Sequence, residues 1–343
     1  MSNKAKIGVL LINLGTPDSP GVSDVRKYLR EFLMDRRVID IPYANRFLLI
    51  NGIIAPFRAP KSSKVYKEVW TDKGSPLLIY GVETKKLLQE RLGEKYHVAL
   101  GMRYQSPSIS SALKEFEGKG FERLVVIPLF PQYASASTGS AIEETMKHLM
   151  TWEVIPDVKF ISNFPSDPIM IKAFAENGRK YMDKTNYDHF IFTYHGLPER
   201  QIKKASVGGY CQLSDKCCSN YNNKNYYCYR AQCYETTRHL VKELNISEGK
   251  YTVCFQSRLG KDPWIKPYTD DIIKELAGKG IKKVLAFSPS FIADCLETTI
   301  EGGIEYRDMF REHGGEEWQL VESLNDSKMW IDCLEGMVKK NEG

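Results

Sequence analysis

The chain has 343 residues, 42% of them hydrophobic and 27% charged, which suits one large globular domain or two of about 150 residues. Its formal net charge of +5 is mild and dispersed, which argues against a nucleic-acid partner. The longest apolar stretch, Phe47 to Phe57, has 11 residues and includes Asn51 and Gly52, whereas a membrane-spanning helix needs about 20.

An apolar run at Ile7–Leu14 opens the pattern. It is short and has no small-residue cleavage site, so a strand is predicted there and not a signal peptide. A cytosolic chain with reduced thiols is the matching expectation. Helix-period segments follow at Val22–Phe32 and Thr84–Leu92, then a strand at His97–Met102, a helix at Ile109–Glu117 and strands at Leu124–Leu129, Val158–Ile161 and Phe190–Tyr194. The helix Thr236–Glu243, the strand Tyr251–Gln256, the helix Asp270–Ala277 and the strand Val284–Ser288 complete the pattern. The strands are continuously apolar, as a sheet covered on both faces requires. Their alternation with helices predicts an α/β fold with mostly parallel sheets.

The chain also echoes itself. Glu115-Phe-Glu-Gly-Lys-Gly-Phe-Glu-Arg-Leu-Val-Val and Glu275-Leu-Ala-Gly-Lys-Gly-Ile-Lys-Lys-Val-Leu-Ala lie 160 residues apart, each a helix stop followed by a buried strand. Gly15-Thr-Pro17 and Gly196-Leu-Pro198 both follow apolar strands. Two common helix–turn–strand stretches can coincide by chance. If they do not, the chain is two similar α/β halves, residues 1–170 and 171–343, with the functional crevice at the carboxyl ends of the strands.

Six histidines occur, and His195 stands apart. It ends the run Phe190–Tyr194 and precedes Gly196 and Pro198, a position that exposes a side chain at the mouth of a sheet. Imidazole can take a proton near neutral pH, although a histidine capping a strand for structural reasons fits the same pattern. In the second half the equivalent strand end carries Asp294 and Glu297. On a helix they would face the same way, either as dipole-complementing carboxylates or as groups that bind a divalent ion or move protons. In the first half, Arg103 and Tyr104 and the hydroxyl-rich stretch Pro131–Ser140 follow strands. The latter is like an anion cradle without matching a Walker or dinucleotide fingerprint. Phe47–Phe57, Tyr80 and Trp264 would suit the wall of a large flat apolar ligand.

Together these motifs resemble the ferrochelatase family. The matching segments are Leu11–Pro17, Gly74–Leu77, Gly101–Tyr104, Pro131–Tyr133 with Ser137–Ser140, Tyr194–Pro198, Phe255–Gly260, Pro263-Trp264 and Ala293–Thr298. The resemblance implies two Rossmann-like halves, each a parallel sheet flanked by helices, with a central porphyrin cleft. It implies an enzyme that inserts Fe(II) into protoporphyrin IX at the end of haem biosynthesis, ferrous iron being a substrate. His195 then matches the active-site histidine, Glu297 its partner carboxylate and Asp294 the acidic path beside them. His195 and Glu297 are also the candidate ligands for the incoming iron. Arg103, Tyr104, Tyr133 and Trp264 match porphyrin-binding residues. Phe47–Phe57 becomes an apolar lip, with peripheral contact to the inner membrane a further expectation for an otherwise cytoplasmic protein. A chelatase for coproporphyrin or for cobalt, and an iron–sulfur or haem-binding electron carrier, are the alternatives.

Five of the eight cysteines lie between Cys211 and Cys233 in a segment rich in Tyr, Asn and Lys. Disulfides do not suit a reducing cytosol, and the paired Cys-x2-Cys spacing of zinc sites is absent. An iron–sulfur cluster on four thiolates is the favoured reading, with unrelated buried cysteines the bland one. The segment, residues 208–233, is similar to a bacterial ferrochelatase type with an internal [2Fe–2S] cluster. Cys211 and Cys228 suit it best. Cys217 and Cys218 are adjacent and should point apart, which favours one of them, with Cys233 completing the set. Cys254, Cys295 and Cys333 read as ordinary core or helix residues.

Overall fold

The computed structural model describes residues 6–258 and 262–342. The motif Phe255–Gly260 therefore ends beyond them, since Leu259 and Gly260 lie outside the described residues. Eight strands form two parallel four-stranded sheets. The first holds β1 (Ile7–Gly15), β2 (Tyr96–Tyr104), β3 (Arg123–Pro128) and β4 (Asp157–Phe160) in the order β2-β1-β3-β4. The second holds β5 (His189–His195), β6 (Tyr251–Gln256), β7 (Lys283–Phe287) and β8 (Glu317–Leu320) in the order β6-β5-β7-β8. The two orders are the same, so the sequence echo is a repeat of topology.

Seven strands lie where the apolar runs put them. β8 escaped that reading because it is a four-residue edge strand in which only Trp318 is fully buried. An edge strand has no need of a continuous apolar run. Each sheet has its own core. Leu10, Ile12, Leu124, Val126 and Phe116 pack together in the first, and Ile191, Cys254, Val284, Ala286 and Phe310 in the second.

The apolar stretch around Phe47–Phe57 is helical. Tyr43–Leu48 runs into a π-helical turn at Leu49–Ile54 and on into Ala55–Val69. The wide turn ends where Pro56, lacking an N–H, cannot donate to the carbonyl four residues back. Tyr43, Phe47, Leu48, Ile53 and Phe57 are exposed on it. Among the described residues no helix is long and apolar enough to cross a membrane.

The chain divides into two compact units. The first takes the described residues of Met1–Phe130, Ser135–Asn163 and Trp330–Gly343, and the second takes Pro131–Ala134 and Phe164–Met329. A single cut at 170/171 misses two features. The linker falls earlier, and the last helix, Lys328–Lys340, returns to the first unit. Its apolar face, Trp330, Ile331, Leu334, Met337 and Val338, is buried at helical spacing. Arg91 of the first unit pairs with Asp332 at 2.9 Å and with Glu335 at 3.6 Å.

Candidate active site

In the second unit β5 is buried from His189 to Tyr194, and His195 is its first half-buried residue. The chain turns at once at Gly196, whose amide donates to the Gln256 carbonyl at 2.8 Å. A Cβ at Gly196 would stand 2.8 Å from that oxygen and 3.2 Å from the Trp264 ring. Only glycine lets the turn sit this close to β6. Trp264 thus packs over the residue that follows His195, and it pairs with Pro198 through an isolated bridge. The His195 carbonyl accepts a hydrogen bond from the Tyr229 hydroxyl at 2.8 Å.

β7 lies beside β5 in the same sheet and leads to Asp294 and Glu297. The two carboxylates do not share a helix face. The π-helix begins at Glu297 and runs to Glu305, and Asp294 precedes it. Asp294 Oδ1 accepts from the Ser323 amide at 3.2 Å and from Thr298 Oγ1 at 3.3 Å. Its Oδ2 accepts from Asn325 Nδ2 at 2.7 Å, while its own amide donates to Asn325 Oδ1 at 2.9 Å. Asp294 is therefore a clamp between the start of the π-helix and the 323–325 loop. Glu297 remains half-buried at the start of the π-helix, ten residues beyond the end of β7. Burial and the adjacent Glu297 carboxylate push the Cys295 thiol well above its ordinary range, so it stays protonated. One turn further, Glu301 was missed by the sequence reading. It accepts from Gln256 Nε2 at 3.2 Å, the Ser257 amide at 3.0 Å and the Tyr306 hydroxyl at 2.8 Å. Its spacing of four from Glu297 was the available signal.

Tyr133 also belongs to the second unit. Its amide donates to Gln232 Oε1 at 2.6 Å, and its half-buried ring meets Tyr227 edge-on at 5.2 Å.

In the first unit Arg103 and Tyr104 converge on Asp35. Arg103 Nη2 donates to Asp35 Oδ2 at 2.8 Å and its Nε to Ser140 Oγ at 2.6 Å. The Tyr104 hydroxyl donates to the same carboxylate oxygen at 2.9 Å. Burial raises the Asp35 carboxyl, but hydrogen bonds from Ser140 and the Arg37 amide and the charge of Arg103 outweigh it, and it lies below its ordinary value. Tyr104 has no exposed surface and packs edge-on against Phe32 at 5.2 Å. It is a core residue with nothing to present to a macrocycle, contrary to its expected role. Ser140 donates to Asp35, so this hydroxyl of the supposed anion cradle already serves a carboxylate of the chain itself.

The cysteine segment is mostly loop, and no disulfide joins its thiols. Cys211, Cys217 and Cys228 line one small pocket. The interaction between the Cys211 and Cys228 thiols pulls that of Cys211 down and pushes that of Cys228 up. Cys217 and Cys218 do not point apart: their sulfurs are 3.9 Å from each other. Both end the short helix Asp215–Cys218, where successive side chains diverge by about 100° rather than the 180° of a strand. Arg230 donates to Cys218 Sγ at 3.0 Å. Cys233 lies a turn into the helix Tyr229–Glu243, wholly buried, and burial pushes its thiol well up. Among the described residues no three His, Cys, Asp or Glu side chains are arranged to hold a single metal ion.

The family model described as Ferrochelatase matches residues 6–342. The chain belongs to the ferrochelatase family. Curated ferrochelatases of Legionella pneumophila (strain Philadelphia 1) are 47% identical over 97% of this chain and 98% of theirs. Those of Coxiella burnetii (strain Dugway) are 43% identical over 99% of this chain and 95% of theirs. Among solved structures, the sirohydrochlorin chelatase SirB of Bacillus subtilis subspecies spizizenii, in complex with cobalt, superposes with a TM-score of 0.52. It is 8% identical and covers 98% of this chain and 94% of its own, a likeness of fold alone. A ferrochelatase is a metal chelatase whose substrates are a porphyrin and ferrous iron, and its reaction serves haem synthesis.

As a ferrochelatase, the chain sets its candidate residues in two groups. His195, Glu297, Asp294, Tyr133 and Trp264 are carried by the second unit, and Arg103 and Tyr104 by the first.

Proposed function

We propose that the chain inserts Fe(II) into protoporphyrin IX, with His195 and Glu297 as the reacting pair. The observation that supports this is the end of β5, where a half-buried imidazole follows a fully buried strand and the chain turns at once at Gly196. Glu297, half-buried, opens the π-helix that follows β7 in the chain. Two pyrrole N–H protons must leave as the dication enters, and the product ring is neutral. Neutral His195 takes one proton, its natural role near neutral pH. Glu297 takes the second and passes protons along the π-helix, where Glu301 is the next carboxylate. The same two side chains are the hard and borderline donors that meet the incoming iron. Trp264 and Tyr133 supply aromatic surface for the macrocycle. The exposed apolar side chains of the Tyr43–Val69 stretch touch a membrane surface peripherally. Asp294 supports Glu297 by fixing the start of the π-helix.

His195→Ala tests the assignment. Loss of the general base is expected to lower the rate of iron insertion about 10³-fold, with the urea midpoint unchanged. Near-normal turnover in this variant sinks the reading.

The cysteine segment suits a [2Fe–2S] cluster. Such a cluster takes its thiolates two to each iron, and the segment brings Cys211, Cys217 and Cys228 around one small pocket, with the Cys218 sulfur 3.9 Å from that of Cys217. Cys233, wholly buried a turn into the helix, is the one left out. When bound, the group supplies a covalent cross-link within the segment; inserting Fe(II) requires no electron transfer. Purified protein should contain iron and acid-labile sulfide and absorb in the visible. Cys228→Ser should bleach those bands and Cys233→Ser should not. A colourless native protein, prepared without air, rules the cluster out.

A further inference from the structure

The helix Tyr229–Glu243 begins at Cys228, its N-cap residue. Its first side chain, Tyr229, is 6% exposed and donates its hydroxyl proton to the His195 carbonyl at 2.8 Å. The β5–β7 ladder ends at Phe192–Phe287, three residues short of His195. On its other side β5 stays paired with β6 through His195–Gln256; on the β7 side the Tyr229 hydroxyl takes the place of a strand partner at the His195 carbonyl. The same helix grips the Gln132–Tyr133 segment. Gln232 Oε1 accepts from the Tyr133 amide at 2.6 Å, and Thr236 Oγ1 accepts from Gln132 Nε2 at 2.9 Å. One helix, started by a cysteine, thus touches the backbone of two candidate site residues.

We propose that Tyr229 is a positioning residue for His195, and that through it the Cys211–Cys228 segment sets the placement of the reacting imidazole. The inference rests on the readings of His195 as the proton acceptor and of Cys228 as a cluster ligand. It gives the cluster a mechanical task in a reaction that needs no electrons. Fixing Cys228 fixes the first turn of the helix, and the first turn holds the end of β5. Small displacements of a reacting group are costly in rate.

Tyr229→Phe removes the hydroxyl and keeps the ring. The expected result is a fall in kcat of about 10-fold, a KM for protoporphyrin within about 2-fold and unchanged visible bands from the cluster. Amide exchange followed by mass spectrometry should quicken in the peptide covering residues 190–198. Cys228→Ser should quicken the same peptide. The double variant Tyr229→Phe/Cys228→Ser should be little slower than the worse single variant, because both act through one contact. The proposal is overturned by unchanged kcat or unchanged exchange at 190–198 in Tyr229→Phe, or by effects of the two substitutions that multiply. Should Cys228→Ser not fold, the Tyr229→Phe kinetics and exchange decide alone. A dead His195→Ala beside a fully active Tyr229→Phe removes only the positioning role, whereas an active His195→Ala removes the reading beneath it.

Discussion

At the carboxyl end of β1 the chain turns at Gly15, where a Cβ would stand 2.0 Å from the Tyr104 carbonyl oxygen of β2. At the carboxyl end of β5 it turns at Gly196, 2.8 Å by the same measure from the Gln256 carbonyl oxygen of β6. The strand orders match, and at both ends a glycine lets the chain pass close to the neighbouring strand. What the two ends do with their polar residues differs. In the first unit Arg103, Tyr104 and Ser140 all close on Asp35, a buried charge cluster that satisfies itself. In the second unit the clamping is delegated to Asp294 and Glu301, and His195 and Glu297 stay half-exposed in front of them. A repeated scaffold thus carries a closed polar network at one strand end and an open one at the other. Chemistry belongs to the site and not to the fold.

The contrast can be broken first at Asp35. Asp35→Ala leaves Arg103 buried without its carboxylate, and breaking such a pair should cost about 3 kcal/mol, read from urea unfolding. The folded fraction should turn over at close to the native kcat. A large loss of kcat with native stability would mean that the first strand end is chemical after all.

A smaller effect sharpens the contrast along β5 itself. His189 sits at the opposite end of the strand from His195, buried and hydrogen-bonded to Thr252 at 2.9 Å. Burial, with Lys250 and Lys279 nearby, lowers its pKa from the ordinary 6.5 to about 4. Between those values the unfolded chain binds the proton that the folded chain refuses. Its stabilising contribution is therefore complete above pH 6.5 and is lost as pH falls toward 4. The loss should amount to about 1 kcal/mol after solvent screening. His189→Gln should flatten unfolding free energy against pH in that window, and an unchanged slope would show that His189 titrates normally. Of the two histidines on this strand, His189 thus serves stability, and His195 is the one proposed to react.

Much of this was legible in the residues. Continuous apolar runs mark strands buried on both faces, and seven of them were found that way. His195 was legible because a glycine turn after a buried strand is a local feature. What escaped depends on distant partners. Asp294 reads as an active carboxylate until Ser323 and Asn325, some thirty residues later, claim its oxygens. Tyr104 looks like a ligand contact until Phe32 and Asp35 bury it. Tyr229 is one tyrosine in a tyrosine-rich segment, and nothing local says that its hydroxyl reaches β5. Adjacent Cys217 and Cys218 were expected to diverge because the short helix that brings their sulfurs together carries no strong periodic signal.

The return of Lys328–Lys340 to the first unit has a consequence for synthesis. The ribosome makes the first sheet early, and the helix that joins its unit emerges only after residues 164–329. That stretch is an almost self-contained block of the second unit. A nascent chain can close the second unit while the first still waits for its helix, the kind of incomplete state that chaperones shield. Of the two units, the one started first is completed second.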